Sequence, residues 1–222
     1  MDGSDAPAVL VDAAHTPFAR LLLAHGAGAP MDSGFMNDVA AGFASRGVEV
    51  VRFEFPYMAA RRESGKRRPP DRMETLLKHF DQLIQRYNRD PVPLFIGGKS
   101  MGGRVASVWA AESAKGKNAK DNCHGVVCLG YPFHPPGKPD NLRIAHLPKC
   151  RIPLLIVQGE RDPLGSRADV ESYELAGPLT FCWLTSGDHD LKPLRRSGYT
   201  HQQHLDAAAD AAVAFMRSTL IG

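Results

Sequence analysis

The sequence predicts an α/β fold, with a mostly parallel, doubly wound sheet and helices on both of its faces. The first observation is a set of six short apolar runs that stop at Gly or Pro, near residues 22, 51, 95, 127, 155 and 182. Such runs are typical of strands that are buried on both faces, as in parallel sheets. The second observation is that helical patterns separate the runs, and this alternation places helices on both sides of a sheet.

The remaining elements follow from weaker or more local patterns. A run near residue 10, AVLVD, is a candidate edge strand. Asp32 or Ser33 can cap a helix, and Gly47 stands where a left-handed terminator belongs. The clearest helix covers residues 71–88, where apolar side chains recur at steps of three and four on one face. The expected helices cover residues 34–46, 71–88, 102–113, 166–176 and 200–220.

The composition is that of an ordinary globular protein. Of the 222 residues, 43% are hydrophobic and 23% are charged, which excludes wholesale disorder, collagen-like repeats and a polar linker. The chain has 27 Lys and Arg against 24 Asp and Glu, and a net charge of +3 does not indicate a nucleic-acid or membrane partner. Few aromatic residues lie among the basic ones to stack on bases. We expect one domain over residues 1–222 that binds neither nucleic acid nor a membrane.

Cysteine usage and apolar length indicate the compartment. No apolar run approaches the roughly 20 residues that cross a bilayer, and the acidic N-terminus is unlike a secretory signal. A zinc site needs closely paired cysteines, and this chain has no C-x-x-C pair. Buried free thiols in a reducing compartment are expected instead, at Cys123, Cys128, Cys150 and Cys182. We therefore expect a cytoplasmic protein with no metal and no other cofactor.

A G-x-S-x-G motif, GKSMG at residues 98–102, follows the apolar run VPLFI and precedes a helical pattern. In that context the motif forms a very tight strand-to-helix turn, which lifts the serine hydroxyl above the edge of the sheet. Gly97 and Gly103 widen the clearance on either side. The sequence predicts Ser100 as a nucleophile, with a structural turn serine as the alternative.

A serine nucleophile needs a base, and the base needs an orienting acid. The expected chain order is serine, acid, histidine. Asp162 follows the run IPLLIVQG and His189 follows LTFCWLTSG, so both lie at carboxyl ends of strands, where ligands bind in open sheets. We expect His189 as the general base and Asp162 as the acid, with Glu160 as the runner-up. The alternatives are a surface histidine and a turn carboxylate before proline.

An acyl-transfer site also needs two amide donors for the oxyanion. One is expected to be the backbone N–H of Met101, at the start of a helix whose dipole favours negative charge. The second is expected in the loop HGAGA at residues 25–29, where we favour Ala27, with Gly26 as the alternative. A flexible glycine loop without this role is the other interpretation. His25 is expected to be structural.

The motifs LLLAHGAGAPMDS, GGKSMGGR, YPFHPPGKP, VQGERDPLG and SGDHDLKP together resemble the small α/β-hydrolases of the testis-expressed and NSL-complex-subunit type, relatives of the dienelactone-hydrolase-like group. The resemblance runs from about residue 20 to the C-terminus. It implies an α/β-hydrolase fold and a triad of Ser100, Asp162 and His189. The dienelactone hydrolases proper use a cysteine nucleophile, so Ser100 favours ordinary ester chemistry. The family also includes proteins regarded mainly as scaffolds.

The substrate-binding residues are predicted from position alone. Residues 131–152 form a short segment where related enzymes often insert a cap, so we expect an open site with no sizeable cap domain. Gly26 is expected to approach the substrate, and Tyr131, with Phe133 and His134, is expected to line one wall. A proline-rich loop packed on itself is the alternative.

Two basic stretches follow strand ends, and Lys99 lies within the motif at residues 98–102. The cations in these stretches, Arg67 among them, are expected to attract an anionic acyl substrate. A solvated loop is the alternative. The stretches comprise Arg61, Arg62, Lys66, Arg67 and Arg68, and then Lys192, Arg195 and Arg196.

Three functions fit these residues. The first is a serine hydrolase that cleaves a small ester or thioester through an acyl-enzyme. The second is a non-catalytic binding or scaffold module that keeps the fold. The third is acyl transfer to an acceptor other than water, which uses the same residues.

Overall fold

A computed structural model describes residues 8–88, 91–113 and 123–221 of the chain. Its strands are β1 (Val9–Asp12), β2 (Ala19–Ala24), β3 (Val48–Phe53), β4 (Leu94–Lys99), β5 (Gly125–Leu129), β6 (Leu154–Gly159) and β7 (Leu179–Leu184). They form one seven-stranded sheet in the order β1-β3-β2-β4-β5-β6-β7. Only β1 runs antiparallel to its neighbour, and the other pairings are parallel. The predicted α/β fold with a mostly parallel sheet is confirmed.

Helices cover both faces of this sheet, as the alternation of patterns predicted. The helices are α1 (Gly34–Ala44), α2 (Pro56–Ser64), α3 (Met73–Tyr87), α4 (Met101–Ser113), α5 (Arg167–Glu171) and α6 (His201–Ile221). On one face, α3 and α4 bury Phe80 and Trp109 against the sheet. On the other face, α1 and α6 bury Phe43 and Met216. Because successive strand side chains point to opposite faces, each buried strand contributes to both cores.

The sheet register places the functional loops on one rim. In β2, Leu22 lies opposite Val51 of β3 and Ile96 of β4. Parallel pairing means that β2, β4, β6 and β7 all end at the same edge, and the loops that follow them meet there. Among the described residues, no separate cap domain covers this rim. Between β5 and β6 the chain forms a loop with a single 3₁₀ turn at Leu147–Lys149.

The expected edge strand and most of the expected helices are present, with three differences. Ser33 takes the N-cap position of α1, but its side chain makes no capping hydrogen bond. The helix expected over 166–176 ends at Glu171, where the hydroxyl of Ser172 bonds back to the carbonyl of Asp169 at 2.6 Å. The third difference is α2, which the sequence patterns do not predict.

The unpredicted helix α2 begins at Pro56 and is followed by Gly65 at φ +67°, in the left-handed conformation. A proline at the first position and a glycine just past the end are standard helix boundaries. In the sequence this segment resembles a basic loop. Its two buried apolar residues, Tyr57 and Met58, are adjacent and do not form a helical repeat among the charged residues.

The cysteines form no disulfides in this structure. All four cysteines are free; three are buried and Cys182 is half-buried. Burial raises the pKa of the Cys123 thiol to about 12 and that of Cys150 to about 11, which keeps them protonated and unreactive. Among the helices that the structure describes, none has both the length and the apolar character that a bilayer crossing requires.

Candidate active site

Ser100 occupies the turn between β4 and α4. Its φ angle is +51°, in the left-handed region that residues other than glycine rarely adopt. This conformation costs roughly 1–2 kcal/mol for a residue with a side chain. The backbone N–H of Ser100 donates to the carbonyl of Leu129 at 2.9 Å, and Ser100 lines a surface cavity. The strained turn therefore presents the hydroxyl at the carboxyl rim of the sheet.

The glycines around Ser100 are required by close backbone contacts. A methyl group on Gly98 or on Gly102 would lie 2.6 Å from the carbonyl oxygen of Ala24. On Gly97 it would lie 2.2 Å from the carbonyl oxygen of Val127, and on Gly103 it would lie 2.7 Å from that of Gly98. All four distances are too short for a real Cβ. The turn packs so closely on the neighbouring strands that no larger residue fits at these positions.

Ser100, His189 and Asp162 form a continuous chain of hydrogen bonds. The Ser100 Oγ lies 2.8 Å from Nε2 of His189, and Nδ1 of His189 lies 2.8 Å from Oδ2 of Asp162. Because the carboxylate accepts, Nδ1 carries the ring proton and Nε2 is free to accept the proton of the serine hydroxyl. The structure thus brings together the three side chains that the sequence predicted to share a site.

Asp162 is fully buried, and its oxygens are satisfied by further donors. Its Oδ1 accepts from the backbone N–H of Leu164 at 2.8 Å, and its Oδ2 accepts from Nε2 of Gln158 at 2.9 Å. Gln158 is itself fully buried, and its Oε1 accepts the N–H of Tyr131 at 2.7 Å. Sequence reasoning missed Gln158, and the available signal was a polar residue inside the apolar run LLIVQG. Its amide fixes the orientation of the Asp162 carboxylate.

The runner-up acid, Glu160, makes its hydrogen bonds to residues other than His189. Its Oε1 lies 3.1 Å from Nη1 of Arg167, and its Oε2 accepts the backbone N–H of Ser186 at 3.0 Å. Asp188 is likewise engaged in its own turn, where it accepts the N–H groups of residues 190 and 192. Of the carboxylates considered, Asp162 is the one that contacts the imidazole.

Lys99 ties this turn to the segment that carries His189. Its Nζ donates to the backbone carbonyl of His189 at 2.5 Å and lies 3.2 Å from Oδ1 of Asp190. The ammonium group also lies 5.3 Å from the ring centroid of Phe35. Burial lowers the pKa of Lys99, and the charge of Asp190 opposes that effect. One buried cation thus joins β4 to the loop after β7.

The two expected oxyanion donors come from different loops. Met101 directly follows Ser100 at the start of α4, and Ala27 lies in the loop after β2, where it lines the same cavity as Ser100. Within the described residues, neither backbone N–H donates a hydrogen bond to another residue. Tyr57 of α2 stabilises this loop, because its hydroxyl donates to the carbonyl of Ala27 at 2.9 Å. Sequence reasoning missed Tyr57 because α2, which carries it, has no clear pattern in the sequence.

His25 is structural, as expected. It is fully buried, its Nε2 accepts the backbone N–H of Phe55 at 3.1 Å, and its Nδ1 lies 2.6 Å from the carbonyl of Gly26. Burial lowers the pKa of His25, which keeps the ring neutral. The imidazole therefore connects the loop after β2 to the segment after β3.

A cavity of about 330 Å³ opens at the Ser100 hydroxyl. Its wall is formed by Gly26, Ala27, Gly28, Ala29, Ser33, Phe35, Met36, Lys99, Ser100, His189 and Asp190. Gly26 and Ala27, which the sequence placed near the substrate, do line it. Most of the wall is small or apolar, and the cavity has room for a small ligand.

Tyr131 and Arg67 do not line this cavity, which corrects their expected place at the substrate. Tyr131 is fully buried, and its hydroxyl donates to the carbonyl of Arg143 at 2.9 Å, because the chain after β5 turns inward. Phe133 is also fully buried, and its ring centroid lies 4.8 Å from that of Tyr131. Arg67 is exposed in the segment that leaves α2 after Gly65.

The first basic stretch is partly neutralised. Arg62 donates to Asp32 at 2.8 Å and to Glu54 at 3.0 Å. Arg61 donates to the carbonyl of Gly28 at 3.2 Å, so it contacts the loop after β2 through a neutral group. These two residues hold the loop in place, and attraction of an anionic substrate by this stretch stays a prediction.

No metal site accompanies the cavity in the part of the chain that the structure describes. There, no group of three or more His, Cys, Asp or Glu side chains is arranged to hold a metal ion. The polar side chains that hydrogen bonds join here are a hydroxyl, an imidazole and a carboxylate.

Comparison with known proteins gives a consistent result. A family model described as an alpha/beta hydrolase domain matches residues 17–217. Est1E from Butyrivibrio proteoclasticus is 13% identical, with a TM-score of 0.70 over 96% of this chain and 94% of that chain. A dienelactone hydrolase from Anabaena variabilis is 20% identical, with a TM-score of 0.68 over 94% and 90% of the two chains. XC6422 from Xanthomonas campestris, described as a serine hydrolase without a lid, is 16% identical, with a TM-score of 0.63 over 92% and 88%.

Proposed function

Because the chain belongs to the α/β-hydrolase family, we propose that it is a serine hydrolase that cleaves a small ester or thioester through an acyl-enzyme. The observation that carries the proposal is the chain of hydrogen bonds from Ser100 through His189 to Asp162, with both distances at 2.8 Å. A hydroxyl, a base and a buried orienting acid in this order are the parts that nucleophilic acyl transfer needs.

In the first half of the reaction, the Ser100 Oγ attacks the substrate carbonyl while Nε2 of His189 takes the hydroxyl proton. Asp162 holds the ring with its proton on Nδ1 and stabilises the imidazolium that forms. The amides of Met101 and Ala27 donate to the oxyanion of the tetrahedral intermediate. The intermediate collapses, the imidazolium gives its proton to the leaving alcohol or thiol, and an ester on Ser100 remains.

In the second half, water replaces the leaving group. His189 takes a proton from the water as it attacks the acyl-enzyme carbonyl, and a second oxyanion forms at the same two amides. Collapse returns the proton to the Ser100 oxygen and releases the carboxylic acid. An alcohol in place of water gives acyl transfer by the same steps.

The size of the cavity supports a small acyl group. Its volume is about 330 Å³ and its wall combines glycine and alanine with Phe35 and Met36. Ligand sites of drug-sized molecules span roughly 300–1,000 Å³. The absence of a cap among the described residues leaves the leaving group exposed to solvent, so its identity is weakly restricted.

We extend the proposal to three further properties. Residues 1–222 form one domain, which the match over residues 17–217 supports. The chain is of the testis-expressed and NSL-complex-subunit type, which its motif combination supports. It acts in the cytoplasm, which four free cysteines support, since free thiols are usual in a reducing compartment.

Ester hydrolysis by wild type and Ser100→Ala tests the activity. With short p-nitrophenyl esters, we expect the substitution to lower kcat by about 10³-fold or more. A fluorophosphonate probe should label wild type and leave Ser100→Ala unlabelled. Ser218→Ala, at an exposed serine of α6, is the matched control and should keep both properties. Equal rates in wild type and Ser100→Ala, with no labelling of either, would favour the scaffold function.

A further inference from the structure

A second cavity, of about 440 Å³, lies between α4 and the loop that joins β5 to β6. Its lining shares no residue with the cavity at Ser100. Its charged side chains are all basic, and it is lined by Arg104, Asn141, Leu142, Arg143, Ala145, His146 and Lys149. A concave surface with several cations and no carboxylate is an unusual arrangement, because surface charges of both signs normally mix.

The Nε–H of Arg104 is a buried donor without an acceptor. Within the described residues it makes no hydrogen bond. Other partly buried arginines of this protein are satisfied: Arg52 lies 2.8 Å from Asp12, and Arg46 lies 2.6 Å from Asp210. A buried donor without an acceptor lowers the stability of the folded state, so its presence needs a physical reason. A ligand bound in the cavity could accept a hydrogen bond from this group.

Burial and the charges of neighbouring basic side chains lower the pKa values of two basic residues in this cavity. Burial, followed by the charges of Arg104 and Lys149, lowers the pKa of His146 to about 4. Burial and the charge of Arg104 lower the pKa of Arg143 as well. No carboxylate contributes to either effect. The fold therefore holds like charges together at a cost, and a bound anion would remove that cost.

We propose that this cavity binds the phosphate group of a small phosphorylated molecule. The forked guanidinium groups of Arg104 and Arg143 match the oxygens of a phosphate, and Lys149 adds a third positive charge. The amide of Asn141 supplies a further donor at the same wall. The cavity is larger than one phosphate group needs, which leaves room for the organic part of an ester.

The site is linked to Ser100 through α4. Arg104 lies one helical turn after Ser100, and its backbone N–H donates to the Ser100 carbonyl at 3.1 Å. The proposal does not depend on turnover at Ser100, because phosphate binding is measured directly on the folded protein.

Calorimetric titration of the full chain at low salt tests the site. The probes are inorganic phosphate and, in a separate arm, glycerol 3-phosphate. We expect saturable binding of phosphate to wild type, weakened about tenfold or more in Arg143→Gln and in Lys149→Gln. Arg151→Gln, which neutralises an exposed arginine that does not line the cavity, is the matched control and should bind as wild type does. Tighter binding of glycerol 3-phosphate than of phosphate would show that the site accepts an ester.

Melting curves recorded without phosphate show whether each variant is folded, so that a loss of binding is not confused with a loss of structure. Removal of one of several like charges should leave the melting temperature of Arg143→Gln unchanged or raised. Absence of saturable binding to wild type, or equal binding to Arg143→Gln and Arg151→Gln with both variants folded, would overturn the proposal.

Discussion

The ammonium group of Lys99 donates a hydrogen bond of 2.5 Å to the backbone carbonyl of His189, 90 positions further along the chain. Lys99 directly precedes Ser100, so the same short segment carries the hydroxyl and fixes the loop that holds His189. A side chain that is 8% exposed makes this connection, which means that water cannot readily take its place.

Lys99→Met should test this connection. The substitution keeps the apolar stem and removes the donor, so the His189 carbonyl loses its partner. We expect kcat/KM for a p-nitrophenyl ester to fall about tenfold, and the free energy of unfolding to fall by about 1–3 kcal/mol. Lys192→Met, at an exposed lysine of the same loop, is the control. Steady-state kinetics and urea titration measure both variants. Equal kcat/KM and equal free energies of unfolding for Lys99→Met and Lys192→Met would refute the role of Lys99 in holding the loop.

A second pair of variants separates the two candidate acids. Asp162→Asn keeps the size of the side chain but disturbs the orientation and tautomer of His189, and we expect kcat to fall by about 10³–10⁴-fold. Glu160→Gln, whose carboxylate faces Arg167, should retain nearly all activity. Initial rates of ester hydrolysis decide between them, and a larger loss in Glu160→Gln would show that the acid is misassigned.

The glycine clearances predict a difference in stability. Gly97→Ala would place a methyl group 2.2 Å from the Val127 carbonyl oxygen, and we expect a loss of about 3 kcal/mol in the free energy of unfolding. Gly34→Ala, at the first residue of α1 with nothing within 4 Å, should be neutral or stabilising by up to about 1 kcal/mol. Chemical denaturation measures both, and a Gly97→Ala variant as stable as wild type would contradict the close approach of β4 to β5 at this position.

The half-buried His146 predicts a loss of stability in acid. Its pKa is about 4 in the folded protein and 6.5 ordinarily, so the unfolded chain binds the proton more readily. Its contribution to stability is therefore complete above about pH 6.5 and is lost as the pH falls towards 4. His146→Gln should show a smaller fall in melting temperature between pH 7 and pH 4 than wild type does. Parallel melting curves for the two proteins would rule out this contribution.

Sequence patterns predicted best the strands that are buried along their length and the helix with one continuous apolar face. The inner strands β2 to β6 are short apolar runs because both of their faces are covered, and α3 has a clear apolar stripe. The grouping of Ser100, Asp162 and His189 followed from parallel topology, since the carboxyl ends of the parallel strands β4, β6 and β7 lie at one rim of the sheet. The catalytic roles of these residues stay predictions until the variants are measured.

Other features depend on tertiary contacts that a local pattern does not carry. The helix α2 is rich in arginine, and its position is fixed by partners such as Glu54, which Arg62 contacts. Asp162 and Glu160 stand two positions apart, and only the turn after β6 decides which of them meets the imidazole. Tyr131 follows a strand, as a pocket residue often does, yet the inward course of the chain buries it.

The four glycines around Ser100 are required by packing, whereas the role proposed for the Ser100 hydroxyl is chemical. A homologue of this chain that lacked the proposed activity would still have to keep Gly97, Gly98, Gly102 and Gly103 in order to fold, but it would be free to change the serine. In any homologue, the glycines of this motif therefore report on the packing of the turn. The residue at the centre of the motif reports separately on the proposed activity.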